Sequence, residues 1–107
     1  MNKGEFVDEL ADKTGFTKKD SKEVLDLMLE ITTEALEEGD YVMFTGFGKF
    51  EPRARKATTR LNPRTGDEVQ VPTKVVPKFK AGKTLKETVQ ENLEAVEKGD
   101  ELEIEKN

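Results

Sequence analysis

Apolar residues recur at helical spacing through the first third of the chain and then change period. Asn2 followed by Glu5 forms a capping-box pattern, and Phe6, Val7, Leu10 and Ala11 follow at helical spacing before Gly15, which predicts a short first helix. Thr17 followed by Asp20 is a second start signal. Beyond it, Val24, Met28, Ile31 and Ala35 lie beside Leu25, Leu29 and Leu36, predicting a longer helix with a broad apolar face that ends before Gly39. The stretches "YVMF", "GFG" and "KFEPRARK" then bring aromatic and branched residues around a glycine pair, the chemistry of a hairpin. "VVPKFK" predicts a further strand. Residues 83 to 98 return to helical spacing through Leu85, Val89, Leu93 and Val96, and the last nine residues, "GDELEIEKN", read as a tail. The expected order is α-α-β-β-β-α, an α+β chain without internal repeats.

Between the two strand regions lies "RKATTRLNPRTGDEVQVPTK", residues 55 to 74, which has five cations and almost nothing to fill a core. Its "NPRTG" places a proline where φ near −65° starts a turn and a glycine where positive φ ends it, so the chain reverses there. The flanks become two sides of a ribbon. Nine extended steps separate Arg53 from Asn62, and at about 3.3 Å each they project the turn roughly 30 Å from its root. Alternation places Arg53 and Arg55 on one face, and Val69 and Val71 together on the return strand. A two-stranded ribbon is marginally stable alone in water, so a partner is expected to order it.

Charge identifies the partner's chemistry. The formal net charge is −5, yet it is unevenly distributed. Residues 1 to 48 hold 5 Lys/Arg against 12 Asp/Glu, residues 49 to 86 hold 11 against 3, and residues 87 to 107 hold 2 against 8. A basic block between acidic ends points to a polyanion, because local potential rather than total charge governs the encounter. At 107 residues the chain allows one domain, and with 34 % hydrophobic and 38 % charged residues its own core is marginal, so it is expected to share apolar surface with a second copy. The absence of cysteine and histidine removes disulfides, thiolate or imidazole metal ligands, cysteine nucleophiles and histidine-based triads. No glycine-rich phosphate loop accompanies the carboxylates. A non-catalytic protein without cofactor or metal is therefore expected. No run approaches the roughly 18 apolar residues of a membrane span, and the start lacks the apolar run of a signal peptide, so the expected location is the cytoplasm.

"GFGKFEPRARKATTRLNPRTGDEVQVP" and "VPKFKAGKTLKETV" resemble the signature, closing strand and last helix of the bacterial HU/IHF family of histone-like DNA-bending proteins. The likeness, which includes "MNKGEF" and the second helix, runs from Met1 to about Val89. It implies an intertwined homodimer with a helical base and two protruding β-ribbon arms, spanning residues 1 to 89, with the arm at about 53 to 74. It further implies a nucleoid-associated protein that binds and bends double-stranded DNA through the minor groove, without strict sequence specificity and with a preference for bent, nicked or flexible duplex. The alternatives are a site-preferring IHF-like factor and an acidic interaction or decoy dimer that has lost strong DNA binding.

By this resemblance Pro63 is the intercalating wedge. Arg53, Arg55, Lys56, Arg60 and Arg64, with Leu61 and Asn62, follow the groove and phosphates. Lys3, Lys74, Lys80, Lys83 and Lys86 contact phosphates on the saddle, and Phe47, Phe50 and Phe79 form the dimer core. Without the family, Pro63 is equally an ordinary turn-former and each lysine a solvated surface charge. For Phe47 and Phe50, burial is favoured over stacking on single-stranded bases, because glycines and apolar residues flank them.

Two features depart from the family pattern. Thr58, Thr59, Arg60 and Leu61 stand where many relatives carry Arg-Lys-Gly-Arg, leaving fewer arm charges and a larger apolar tip. The acidic residues 90 to 107 lie beyond the usual end and are expected to be a helix extension with a solvated tail, or else a competitor for the basic saddle.

Overall fold

The computed structural model describes residues 1–107. Both amino-terminal helices start on the side-chain caps read from sequence. In α1 (Lys3–Thr14) the Asn2 carboxamide oxygen accepts from the Glu5 N–H at 2.9 Å, and in α2 (Lys18–Glu37) the Thr17 hydroxyl accepts from the Asp20 N–H at 3.1 Å. These caps satisfy amide groups that have no partner inside a helix. Gly15 ends α1 at φ 78°, a left-handed conformation that favours glycine.

A three-stranded antiparallel sheet follows, in the order β1 (Val42–Phe44), β2 (Gly48–Arg55), β5 (Lys74–Ala81). β3 (Thr58–Leu61) and β4 (Glu68–Val71) form a separate ribbon beyond it. The β1–β2 turn is closed by the Phe47 N–H donating to the Phe44 carbonyl at 2.9 Å. Gly48 owes its place to packing, since a Cβ there would stand 2.4 Å from the Phe79 ring.

α3 (Lys83–Asn92) is shorter than the predicted 83–98, and the expected helix extension and tail are corrected. Residues 93–106 form a hairpin of β6 (Leu93–Lys98) and β7 (Glu101–Lys106). The hairpin adds two strands to the expected order, while β3 and β4 are the two sides of the expected ribbon. The physical reason lies in the period: "LEA" and "ELEIE" alternate apolar and acidic residues, and a two-residue Gly99-Asp100 turn separates them. Gly99 takes φ 65° at the first turn position. Leu85, Val89, Leu93 and Val96 happen to satisfy helical spacing across the same boundary. Asn107 closes the hairpin onto α3, donating from its backbone N–H to Asn92 O at 2.9 Å and from its side chain to Glu91 O at 3.0 Å.

The chain is extended, with a radius of gyration of 19.2 Å against the roughly 13 Å of a compact domain this long. Only Val7, Ala11, Ser21 and Gly48 are buried. The large apolar side chains of α2 and the sheet, among them Met28, Ile31, Met43 and Phe44, remain exposed. A single chain of this shape therefore leaves its main apolar surface open. No helix is long and apolar enough to cross a membrane.

Candidate nucleic-acid interface

Pairing of β2 with β5 sorts their side chains onto two faces. Residues opposite one another share a face and neighbours along a strand alternate. Gly48, Phe50, Pro52 and Ala54 therefore lie with Ala81, Phe79, Pro77 and Val75. The other face holds Lys49, Glu51, Arg53 and Arg55 with Lys80, Lys78, Val76 and Lys74. One side of the sheet is apolar and the other predominantly cationic.

Glu51 is the one carboxylate in this cationic group. It accepts from Lys49 and Lys80 at 3.1 Å each and stands 3.7 Å from Arg53. The Lys80 ammonium, followed by that of Lys49, holds the Glu51 carboxyl below its usual range. A carboxylate so placed keeps cations together that would otherwise repel, and it occupies donors that a phosphate could use.

Beyond Arg55 and Lys74 the ladder breaks for two residues on each strand and resumes at Thr58 opposite Val71. Arg55, Lys56, Thr58, Arg60, Val71, Pro72 and Lys74 surround a cleft of about 380 Å³ at this break. Arg60 stands opposite Val69, with Thr58 and Val71 on the same face, so the predicted Val69–Val71 face also carries an arginine. Three of the cations expected along the arm, Arg55, Lys56 and Arg60, and Lys74, expected on the saddle, thus line one concavity.

The tip is a turn built by Asn62. Its side-chain oxygen accepts from the Arg64 N–H at 2.9 Å and its carbonyl from the Gly66 N–H at 2.8 Å, while its own N–H donates to Asp67 O at 2.8 Å. Gly66 takes φ 74°, the positive value the turn pattern required. This leaves Pro63 and Arg64 exposed at the apex, beside the exposed Leu61.

The remaining predicted cations lie elsewhere. Lys83 and Lys86 are in the first turn of α3, whose N-cap Gly82 offers no side-chain acceptor, and the Leu85 N–H there donates to Gly46 O at 3.0 Å. Lys83 also pairs with Glu87 at 3.8 Å. Lys3 is on α1, 2.6 Å from Asp26 of α2, and Asp26 pairs with Lys22 at 2.6 Å. Lys22, then Lys3, holds the Asp26 carboxyl below its usual range, and Asp26 in turn raises the Lys22 ammonium. Lys18, Lys19 and Lys22 line the same groove as Lys3. The sequence reading did not include these three, nor Lys49 and Lys78. The signal was present in the cationic first turn of α2 and in the every-second-residue spacing of Lys78 and Lys80.

Phe47, Phe50 and Phe79, expected in the dimer core, lie together within one chain. The Phe79 centroid is 4.7 Å from that of Phe50 and 5.7 Å from that of Phe47. The cluster is unfinished within one chain, since Phe47 remains 50 % and Phe79 39 % exposed.

A family model described as "Bacterial DNA-binding protein" matches residues 1–90. The chain is 45 % identical over 89 residues to the DNA-binding protein HU of Geobacillus stearothermophilus, spanning 83 % of this chain and 99 % of that protein. It is 48 % identical over 89 residues to the corresponding protein of Thermotoga maritima, with the same shares covered. Among solved structures, the chain in an Anabaena HU–DNA cocrystal is similar at a TM-score of 0.78 and 47 % identity, covering 84 % of this chain and 98 % of that one. HU from Thermotoga maritima matches at a TM-score of 0.61 and 43 % identity, covering 84 % and 100 %.

Proposed function

The chain belongs to the bacterial DNA-binding protein family, and from this premise we propose that it binds duplex DNA as a homodimer and bends it without reading its sequence. The observation that carries this reading is the cationic ribbon ending in an exposed Leu61–Pro63 tip, in a chain 47 % identical to the HU of a DNA cocrystal. The open aromatic cluster and the exposed apolar face of α2 support a second copy, whose burial would complete the core. Phe47, Phe50 and Phe79 serve in that interface.

In this reading Arg53, Arg55, Lys56, Arg60 and Arg64 carry the arm along the minor groove, with Asn62 shaping the turn. Lys3, Lys74, Lys80, Lys83 and Lys86 meet phosphates nearer the body. Such contacts position the protein but carry no sequence information. Selectivity then comes from how cheaply a duplex deforms, which favours bent, nicked or flexible DNA. Pro63, widened by Leu61, enters between base pairs, where a few kcal/mol of unstacking is offset by the additional contacts of a bent duplex. The role is architectural and non-catalytic, and its place is the nucleoid in the cytoplasm.

Energy transfer across a short end-labelled duplex tests the mechanism. Pro63→Ala is expected to reduce the bend while the cations retain binding. An undiminished bend in the variant rejects the wedge, and failure of the parent protein to bind duplex at low salt rejects the function.

A further inference from the structure

α3 and the β6–β7 hairpin stand apart from the rest of their own chain. α3 is tethered at its start, by the Gly82 N–H donating to Phe47 O at 2.7 Å and the Leu85 N–H to Gly46 O at 3.0 Å. Beyond that tether its main neighbour is β6, which follows it directly in the chain. Along α3, Leu85, Val89 and Leu93 recur every four residues and so share a face. Leu93 both caps α3 and begins β6, and it carries this stripe directly into the hairpin.

The hairpin is amphipathic in register. Leu93 stands opposite Lys106, Ala95 opposite Ile104 and Glu97 opposite Leu102, which places Leu93, Ala95, Leu102 and Ile104 on one face. Glu94, Glu101, Glu103 and Glu105 share the other with the half-buried Val96 and with Lys98, which pairs with Glu103 at 3.0 Å and Glu105 at 3.3 Å. The apolar face has no cover: Leu102 is 72 % and Ile104 76 % exposed. A two-stranded ribbon gains little stability in water unless something covers such a face.

We propose that a second copy of this chain, the partner in the homodimer, covers this face, so that residues 93–106 act as a clip extending the dimer interface past the segment matched by the family. The inference rests on the homodimer reading. Three observations select this occupant. The hairpin face is continuous with the open α3 stripe, and neither packs broadly on the body of its own chain. The chain itself presents the uncovered apolar surface of α2 and the sheet that would receive it. The opposite face holds four glutamates against one lysine, and residues 1 to 48 are acidic as well, so electrostatics oppose docking through that side and favour contact through the face of Leu93, Ala95, Leu102 and Ile104.

The chain has no cysteine, so a single one reports on cover without interference. Thiol alkylation of Ile104→Cys in the full chain, with Glu101→Cys on the acidic face as control, is followed over a dilution series beside sedimentation equilibrium. The expected result is slow labelling of Ile104→Cys in the dimer, rising to the control rate as the dimer dissociates. Ile104→Ser is expected to weaken the dimer about tenfold or more, the loss for one large aliphatic side chain. Equal labelling rates for the two cysteine variants in a proven dimer overturn the clip alone. A protein that sediments as a monomer throughout overturns the homodimer reading and the clip with it. Protection that appears only in a tetramer overturns the placement within the dimer.

Discussion

Glu51 concentrates the electrostatic problem of the sheet in one side chain. It shares the cationic face with Lys49, Arg53 and Lys80 and pairs with all three. If DNA reaches this face as proposed, a phosphate there must replace these pairs, which lowers the number of counterions displaced. Glu51→Gln removes this competitor while keeping the shape. The expected outcome is tighter binding at low salt and a steeper plot of log affinity against log salt, by about 0.9 for each additional phosphate neutralised. An unchanged slope, measured by fluorescence anisotropy, would show that these lysines and Arg53 do not reach DNA. The cap of Asn2, the cap of Thr17 and the turn of Asn62–Gly66 are also residue-scale features, and all three were legible in sequence because each closes within five residues.

Among the elements, α1 and α2 are joined through Asp26, which takes hydrogen bonds from Lys22 and Lys3. The folded carboxyl titrates below its ordinary 3.8, so its contribution to stability is present above that value and is lost as pH falls through the lower folded one. Asp26→Asn is therefore expected to melt below the parent near neutral pH, with the gap closing on the acid side of 3.8. Thermal unfolding across that range is the measurement, and a gap independent of pH would assign the defect to packing instead. The elements also contain the misread boundary. Helical spacing through Leu93 and Val96 concealed the alternation of the last segment, and two-residue periodicity shows its meaning only once Gly99-Asp100 is taken as a hairpin turn.

For the whole molecule, the dominant fact is how little one chain buries. An extended protomer with four buried residues cannot draw its stability from its own core. Folding and association are then one equilibrium, and the melting temperature is expected to rise with protein concentration. Calorimetry over a hundredfold dilution checks this, and a constant melting temperature would count against the shared core.

Short-range chemistry alone dictated where the first two helices begin, where the arm reverses and how charge is divided among acid, base and acid, because each depends on neighbours a few residues away. The placing of cations around Glu51, the packing of Phe79 against Phe50 and Gly48, and the cleft between Arg55 and Lys74 arose only from pairing β2 with β5 across the intervening residues 56 to 73. Register was the deciding quantity, since a slip of one position would have exchanged the apolar and cationic faces of the sheet.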